Sequence, residues 1–136
     1  MGSMRGLLKR EVAKQAEVNV ETLRYYERRG ILPTPPRDGA NYRHYPETAV
    51  QQVRFIKRAH GLGFSLKEIT SMLFLRNNPK TSRAAVKARA EAKLTDIDKK
   101  IECLTEMRDA LAQVAMLCDG KGSIDGCPIL QALEGE

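Results

Sequence analysis

Two cysteines near the end of the chain, Cys118 and Cys127, have the type and spacing of a small site for a soft metal ion. They bracket eight residues that include three glycines, so this segment can fold back and bring both sulfurs together. Two thiolates with no histidine nearby make a poor zinc site, because zinc usually takes four nitrogen or sulfur ligands. They suit ions that accept two soft ligands, namely Cu(I), Ag(I), Au(I) or Hg(II). A redox disulfide and two inert thiols remain alternative interpretations of the pair.

A basic helix that contains tyrosines is the second candidate functional element. Asn19 is a good N-cap and Gly30 suits the residue after a helix, so the sequence predicts a short helix between them. Leu23 and Glu27 lie one turn apart and can face the interior. The side chains left on the outside are Arg24, Tyr25 and Arg28. Guanidinium and phenol groups suit phosphate oxygens and base edges, so we expect this helix to contact nucleic acid rather than to be only a solvated basic surface.

The basic residues are concentrated in the first half of the chain. Residues 1–76 carry 14 Lys and Arg against seven Asp and Glu, whereas residues 77–136 carry nine against ten. The first part is therefore the candidate for binding a polyanion, and the second part is expected to have another role. No apolar run approaches the roughly 20 residues of a membrane span. We expect no signal peptide, no disulfide framework, and an expression-tag remnant at residues 1–3.

The elements around the basic helix predict a winged helix-turn-helix. Apolar residues at positions 7, 8, 12 and 16 predict a first helix over about residues 8–16, joined to the basic helix by a short turn. The prolines of residues 31–45 forbid a helix there, and Asp38-Gly39 is a turn signal between two short extended pieces. This pattern predicts a small two-stranded wing. It carries further basic and aromatic side chains: Arg37, Tyr42, Arg43 and Tyr45.

Two more helices are predicted before a break at residues 77–79. The first runs from Pro46 to about Leu62. Its buried face is supplied by Val50, Val53, Phe55 and Ile56. The second opens on Ser65 and Glu68, which form a capping-box pattern.

One long helix over about residues 82–117 dominates the remainder. Its apolar positions alternate in steps of four and three, which is the seam of a coiled coil, with Arg108 as the polar exception. The seam residues are Ala90, Leu94, Ile97, Ile101, Leu104, Leu111 and Ala115. A helix of about 35 residues spans roughly 50 Å, more than the small first domain can cover, so we expect a homodimer through paired long helices. Cys103 is expected to be a packing residue beside this seam.

Two cations occupy the backward extension of the seam. Counting down in sevens reaches Arg83 and Lys87, where the pattern asks for apolar residues. Two such cations facing a partner would repel unless an anionic group lies there, although long side chains at a helix end can also extend to water.

The chain resembles the MerR family of bacterial transcription regulators over nearly all of residues 6–134. The motifs that carry the resemblance are VETLRYYERRGIL at residues 20–32, NYRHY at 41–45, VRFIKR at 53–58 and LGFSLKEI at 62–69. The resemblance implies a homodimer on promoter DNA that represses without metal and, with metal, distorts the DNA so that RNA polymerase can use the promoter. It also implies these DNA-contacting residues: Val20, Glu21, Thr22, Arg24, Tyr25, Tyr26, Arg37, Asn41, Tyr42, Arg43, Tyr45, Arg54 and Lys57.

The chain is most similar to the branch that senses thiophilic metals, but it departs from that branch at one position. The mercury, cadmium/lead and zinc sensors have a cysteine at the start of the dimer helix that reaches the partner's loop, and the copper/gold sensors have serine. This chain has Arg83 there, preceded by Ser82, and we expect these two residues and Lys87 to influence metal selectivity. Residues 86–87 match the copper/gold sensors, whereas the eight-residue loop resembles the mercury and lead types.

Because position 83 is not a cysteine, the resemblance leaves a two-coordinate site made by Cys118 and Cys127 alone. Two thiolates with a monovalent cation carry a net charge of about −1, which Arg83 and Lys87 at the partner's seam would offset. With Hg(II) the same site is neutral, so the two cations would matter less.

The resulting expectation is a mainly α-helical, metal-responsive transcription regulator of the cytoplasm with no enzymatic activity. Its domains are expected at residues 5–76 (winged helix-turn-helix), 77–117 (linker and long antiparallel coiled-coil dimerisation helix) and 118–136 (metal-binding loop and tail). The alternatives are a redox- or electrophile-responsive regulator of the same fold and a thiol protein that buffers metal.

Overall fold

Six helices form within residues 6–135, which are the residues that the computed structural model of this protein describes. They are α1 (Lys9–Gln15), α2 (Val20–Arg28), α3 (Thr48–Gly61), α4 (Leu66–Arg76), α5 (Arg83–Ala115) and α6 (Pro128–Glu134). Helices α1 to α5 begin within about two residues of their predicted starts. The chain divides between Arg89 and Ala90 into two compact units, and each unit is described by itself.

The core of the first unit lies among α1, α2, α3 and α4. Helix α1 packs on α2 and α3, and α3 packs on α4. The largest fully buried side chains are Val12, Leu23, Leu32, Tyr45, Val53, Ile56 and Ile69. Burying an aliphatic side chain of this size stabilises a fold by about 1.5–3 kcal/mol, so this cluster holds the four short helices in place. Phe55, predicted for the buried face of α3, is only half-buried, and the Arg76 guanidinium lies 5.8 Å from its ring centre.

The turn between α1 and α2 confirms the predicted helix-turn-helix. Val18 N donates to Ala13 O at 3.0 Å, which closes the end of α1. Glu17 has a φ of 58°, a left-handed conformation that allows the chain to reverse direction in a few residues. Asn19 then caps α2, since its Oδ1 accepts a hydrogen bond from Thr22 N at 2.8 Å.

The two-stranded wing is not confirmed, because the described residues form only isolated antiparallel bridges there. One bridge joins Arg37 to Arg43, and a second joins Leu7 to Tyr45 at the base of the segment. Prolines at positions 33, 35 and 36 remove three backbone donors before the first bridge, which limits the strand to a single pair. The left-handed residue of the turn is Asn41, with a φ of 70°, and not Gly39. Residues 37–43 are called the wing loop below.

The second unit contains most of α5 and the whole of α6. Helix α5 is 33 residues long in all. Four predicted seam residues remain more than half exposed in the single chain: Leu94, Ile101, Leu104 and Leu111. Cys103 is also exposed in the single chain, as the seam residues are, so its expected packing beside the seam stays a prediction. It lies one residue, or about 100° of helix rotation, from the seam position at 104, which turns it off the apolar stripe.

Ionic contacts also lie along α5. Lys93 is buried and its Nζ lies 3.2 Å from Asp96, which also pairs with Lys100 at 3.4 Å. Hydrogen bonds from both amines lower the pKa of the Asp96 carboxyl. Within residues 6–135, no helix combines the length and apolar character that crossing a membrane requires.

Candidate nucleic-acid interface and cysteine loop

Helix α2 presents one buried face and one basic exposed face. Leu23 and Tyr26 are buried, whereas Arg24, Tyr25 and Arg28 are exposed, as the spacing of the sequence predicts for Leu23 and the three outer residues. Arg24 pairs with Glu21 one turn earlier. Arg29, which follows the helix, places its guanidinium 6.0 Å from the centre of the Tyr25 ring. Arg24 on the exposed face of α2 and Arg29 just after the helix are therefore each restrained by a neighbouring side chain.

The start of α2 offers less free hydrogen-bonding capacity than the sequence predicts. Val20 is half-buried, and the Thr22 hydroxyl donates to Asn19 Oδ1 at 2.9 Å. Glu21 is exposed but paired with Arg24. A base edge that approached this turn would meet the Val20 side chain and an already engaged Thr22 hydroxyl.

Tyr26 and Tyr45 lie in the core, against the expectation that both contact DNA. Their exposed fractions are 7% and 1%. Burial raises the pKa of Tyr26, with a smaller contribution from Tyr25. The Tyr45 hydroxyl donates to Glu27 Oε2, and burial together with this carboxylate raises the pKa of Tyr45. Both rings belong to the buried core cluster of the first unit and support the interface from within.

The wing loop holds its arginines through main-chain contacts. Arg37 Nη1 donates to Asn41 O at 3.1 Å, and the Arg43 guanidinium donates to Pro35 O. Tyr42 is 57% exposed and has its backbone bonded to Asp38. These bonds fix where each cation lies while leaving further N–H donors on each guanidinium.

Six of the sequence-predicted contact residues line one cleft between α2, the start of α1 and the wing loop, which is called the basic cleft below. The cleft has a volume of about 320 Å³. The predicted residues in it are Val20, Arg24, Arg37, Asn41, Tyr42 and Arg43. Leu8 and the two cations Lys9 and Arg10, at the start of α1, complete the lining. No local sequence pattern identifies these two cations, because their proximity to the wing depends on the Leu7–Tyr45 bridge. Five positive charges around a polar cleft suit a phosphate group.

Arg54 and Lys57 lie elsewhere and bond to the end of α1. Arg54 Nη2 donates to Gln15 O and Lys57 Nζ to Glu17 O, both at 2.8 Å. Cations near the last carbonyls of a helix stabilise it through the unpaired C=O groups. The two side chains thus brace the helix-turn-helix, and they line a separate cleft with Arg58.

The charge difference between the units is larger than the predicted domain boundary suggests. Up to Arg89 the chain carries 18 Lys and Arg against seven Asp and Glu, whereas from Ala90 onward it carries five against ten. The boundary predicted at residue 76 had assigned four of these cations to the second part. The first unit is therefore the strongly basic one, and a polyanion would be attracted to it.

The segment between α5 and α6 places the two candidate metal ligands in a glycine-rich loop. Cys118 Sγ accepts a hydrogen bond from Gly120 N at 3.2 Å, and Lys121 N donates to Asp119 Oδ1 at 2.9 Å. Cys127 is the residue before α6. Both thiols are free and half-buried. Gly120, Gly122 and Gly126 all have a positive φ, which residues with a side chain rarely adopt.

The donor set of this loop fits a soft ion with two sulfur ligands. Cys118 and Cys127 are the two free thiols that this loop supplies, and thiolates prefer soft cations. No group of three or more His, Cys, Asp or Glu residues is placed to hold a metal ion anywhere in residues 6–135.

The start of α5 carries the three residues predicted to influence metal selectivity. Ser82 Oγ accepts a hydrogen bond from Ala85 N at 3.2 Å, which is the geometry of an N-cap. Ser82 therefore has a structural role that the sequence analysis did not assign. Arg83 and Lys87 are both exposed.

Comparison with known proteins places the chain among transcription regulators. Residues 10–74 match the family described as MerR HTH family regulatory protein, and residues 50–114 match the family described as MerR, DNA binding. The chain is 40% identical to the mercuric resistance operon regulatory protein of Serratia marcescens over 124 residues, which cover 91% of this chain and 85% of that protein. It is 40% identical over 123 residues to the HTH-type transcriptional regulator HmrR of Rhizobium leguminosarum bv. viciae, covering 90% and 94%.

A solved structure agrees with these sequence matches. The transcription regulator PbrR691 from Ralstonia metallidurans CH34, in complex with lead(II), superposes with a TM-score of 0.83 and 31% sequence identity. The similarity covers 93% of this chain and 98% of that one. The matched regions include every helix from α1 to α5. The chain therefore belongs to the MerR family of helix-turn-helix transcription regulators.

Proposed function

We propose that this MerR-family member is a homodimeric regulator that binds promoter DNA through α2 and the wing loop and responds to a soft metal ion at Cys118 and Cys127. It activates transcription by distorting the DNA when the ion binds, so that RNA polymerase can use the promoter, and it acts in the cytoplasm. No reaction is catalysed. Its functional parts follow the predicted limits, with residues 5–76 reading DNA, 77–117 forming the dimer and 118–136 sensing the ion.

The basic cleft supports the DNA contact. Arg24 from α2 meets Arg37 and Arg43 from the wing loop around one opening, and a phosphate bound there would touch both elements. In a dimer, two such clefts would bind the two DNA half-sites that are related by the molecular twofold axis. The short bridged hairpin then acts as the two-stranded wing of this fold.

The single observation that carries the metal response is the geometry of the Cys118 loop. Its sulfur accepts the Gly120 N–H within a turn that is followed by a second free cysteine, at the head of α6. Relatives whose names refer to mercuric resistance, and a related structure with lead(II), support a thiophilic ion as the signal. Two thiolates alone favour Cu(I), Ag(I), Au(I) or Hg(II) over zinc.

The exposed seam of α5 supports an antiparallel pairing of two long helices. Ile101 and Leu104 are 56% and 62% exposed in the single chain, and neighbouring seam positions are exposed as well. An apolar stripe of this length is stable in water only when it is covered. A second α5 covers it, and the twofold axis places the Cys loop of one chain near the start of α5 of the other.

Transcription from a promoter that the protein binds, measured in vitro with purified RNA polymerase, tests this function. The full chain is titrated under strict reducing conditions with Cu(I), Ag(I), Hg(II) or Zn(II). We expect induction by at least one soft ion and none by Zn(II). Cys118→Ser and Cys127→Ser should each abolish induction while promoter binding stays unchanged, because the DNA-reading residues lie in the other unit. Cys103→Ser is the matched control and should respond as the parent does.

Three results would contradict the proposal, and each identifies a different alternative. Induction by diamide but by no metal identifies a redox regulator of the same fold. Metal binding with no promoter footprint identifies a thiol protein that buffers metal. Full induction in the double Cys118→Ser/Cys127→Ser variant shows that the two cysteines are not needed to sense the metal.

A further inference from the structure

Glu21 is an acidic residue on the basic exposed face of α2. Spacings of three, four and seven residues place Arg24, Tyr25 and Arg28 on the same face, and all four side chains are exposed. The other acid of this helix, Glu27, has a nearly buried side chain. A carboxylate weakens the attraction of such a face for DNA, because it repels the phosphate backbone. The position of Glu21 therefore indicates a role other than phosphate binding.

One oxygen of the Glu21 carboxylate is engaged and the other is available. Oε1 accepts a hydrogen bond from Arg24 Nη1, one turn later on the helix. Oε2 has no hydrogen-bond partner within residues 6–135, and 70% of the Glu21 side chain is exposed. The Arg24 guanidinium therefore restrains the carboxylate and offsets its charge, while Oε2 remains free to accept a hydrogen bond.

The neighbouring residues in the first turn of α2 offer no comparable acceptor. Val20 is apolar and half-buried, and Leu23 is buried. The Thr22 hydroxyl donates to Asn19 Oδ1, which also accepts from Thr22 N. In a helix-turn-helix, the residues at the start of the second helix contact base edges. Among residues 20–23, Glu21 is therefore the one whose exposed side chain brings an unengaged acceptor to a base.

A carboxylate discriminates between bases because it can only accept hydrogen bonds when it is charged. In the major groove, guanine N7 and O6 and thymine O4 are acceptors and would repel it, whereas the amino groups of cytosine and adenine are donors. Adenine also carries the N7 acceptor beside its amino group, which opposes a carboxylate. Cytosine presents only its N4 amino group, so the chemistry of Glu21 favours cytosine.

We propose that Glu21 determines base specificity, with Oε2 accepting a hydrogen bond from the N4 amino group of one cytosine in each half-site. This inference rests on the DNA contact proposed above. Arg24 has further N–H donors for a phosphate while it holds Glu21 Oε1, so the carboxylate enters the groove with its charge offset. The twofold axis repeats the contact, and the recognised site contains this cytosine once on each strand.

The test begins with duplexes selected from a random library by the full, metal-free chain and, separately, by Glu21→Ala at the same salt concentration. We expect one symmetry-related pair of positions at which the parent requires cytosine and Glu21→Ala accepts any base. Fluorescence anisotropy then measures the affinity for duplexes changed at that pair alone. The parent should lose roughly 5- to 100-fold in affinity for each cytosine replaced. Glu21→Ala should bind the original and the changed duplexes equally.

A modified base tests which atom is contacted. In a Watson–Crick pair, the methyl group of N4-methylcytosine replaces the amino hydrogen that faces the major groove and leaves the pairing hydrogen in place. The parent should bind a duplex with this base more weakly, whereas Glu21→Ala should bind the modified and unmodified duplexes equally. 5-Methylcytosine keeps both amino hydrogens, so it should lower the affinity of the parent less than N4-methylcytosine does.

Two further variants separate base recognition from a structural role. Glu21→Gln adds an amide donor beside the oxygen, so it should also accept adenine at this position, because glutamine bonds to adenine N6 and N7. Glu47→Ala removes an exposed carboxylate at the start of α3 that makes no capping bond, and it should keep the base preference of the parent. A carboxylate that only stabilised the start of α2 would instead change the free energy of urea unfolding and weaken binding to every duplex alike.

Each contrary result overturns a defined claim. The same base preference in the parent and in Glu21→Ala refutes recognition by Glu21 and leaves the proposed DNA contact standing. A preference that Glu21→Ala loses at an adenine refutes the assignment to cytosine. Equal binding of the parent to the N4-methylcytosine and unmodified duplexes refutes the contact with the amino group. A parent chain for which no duplex can be selected refutes the proposed DNA contact as well.

Discussion

The Tyr45 hydroxyl donates a hydrogen bond to Glu27 Oε2 at 2.5 Å, and this contact joins the base of the wing to the last turn of α2. Lys9 of α1 pairs with the same carboxylate through Oε1 at 2.8 Å. Three parts of the first unit therefore meet at one nearly buried carboxylate. Burial alone would raise the pKa of Glu27, but the hydrogen bonds from Lys9 and Tyr45 and the charge of Lys9 outweigh it and leave this pKa lowered.

Glu27→Gln should destabilise the first unit by about 1–3 kcal/mol at pH 7, because the substitution leaves Lys9 partly buried without its counter-charge. The folded pKa of Glu27 lies below the reference value of 4.5. Its contribution is therefore fully present above about pH 4.5 and is lost as the pH falls through the folded pKa. Urea unfolding from pH 7 to pH 3 measures the free energy of unfolding of both proteins. The difference between parent and variant, called the gap here, should narrow as the pH falls below about 4.5. Glu21→Gln, on the exposed face of the same helix, is the control and should change stability by less than about 1 kcal/mol. A gap that is constant with pH would contradict the assignment.

Gly6→Ala should weaken the attachment of the wing to α1. A Cβ at Gly6 would lie 2.6 Å from Tyr45 O, and the residue has a left-handed φ of 66°. Gly30 provides a matched control, since its φ is 74° but no atom lies within 4 Å of the added Cβ. Gly30→Ala should therefore lower the free energy of unfolding only by the roughly 1–2 kcal/mol of left-handed strain. Gly6→Ala should lower it clearly more, as measured by chemical denaturation. Equal losses of stability in the two variants would mean that the Leu7–Tyr45 bridge accommodates the added Cβ with no loss of free energy.

Arg24→Ala, Arg43→Ala and Arg10→Ala should each weaken binding to all DNA sequences alike. Each removes a cation from the basic cleft, so the slope of log K against log salt should fall by about one unit for each twofold-related contact. Arg10 is the informative case, because the folded structure and not the sequence identified it. Lys99→Ala is the control, since Lys99 is an exposed cation of α5 that lies off the seam. Salt slopes of the three cleft variants equal to that of Lys99→Ala would place the phosphate contacts elsewhere.

Ile101→Ala and Leu104→Ala should shift the protein toward monomer. Truncating a buried Ile or Leu typically costs about 2–5 kcal/mol, and in a dimer each substitution occurs twice. Cys103→Ala alters the adjacent exposed residue and should leave the assembly unchanged. Sedimentation velocity over a concentration series measures the dimer fraction. A parent chain that sediments as a fully folded monomer at micromolar concentration would refute the seam.

The parts of the fold that depend on local chemistry were predictable from the sequence. Asn19 and Ser65 cap α2 and α4 through their own side chains, and both caps follow from residue type and from spacing of three residues. The length of α5 follows equally from an uninterrupted run without Gly or Pro. Signals confined to four or five consecutive residues do not depend on tertiary context, which explains why these limits agree closely.

The composition of the site depends on long-range contacts that no local pattern encodes. Tyr25 and Tyr26 are adjacent and identical in type, but their directions differ by about 100° on the helix, so one is exposed and the other buried. Lys9 lies at the cleft only because an antiparallel bridge pairs Leu7 with Tyr45, which is 38 residues away in the sequence. The family resemblance implies that Arg54 contacts DNA, and in the folded chain its guanidinium donates to Gln15 O at the end of α1. Residue type alone does not show that a cation has such a structural hydrogen bond.

Arg83→Cys should broaden the metal response toward divalent ions. Arg83 is the first residue of α5, and its guanidinium cannot ligate a metal ion. A thiolate at this position, contributed by the partner subunit, would complete three-sulfur coordination with Cys118 and Cys127. Arg89→Cys, which adds an exposed thiol two turns later on the same helix, is the matched control and should leave selectivity unchanged.

The net charge of the metal-loaded Cys118–Cys127 site in the parent protein leads to a further expectation about Lys87. A monovalent ion held by two thiolates keeps a net negative charge, whereas Hg(II) held by the same pair is neutral. Lys87→Ala should therefore weaken the response to Cu(I) or Ag(I) more than the response to Hg(II), because only the monovalent complex needs a cation beside it. Competition titrations give the affinities, and X-ray absorption gives the number of sulfur ligands. Two sulfurs in the parent and three in Arg83→Cys are expected. Three or four ligands in the parent, or equal losses for both ions in Lys87→Ala, would overturn the two-coordinate site.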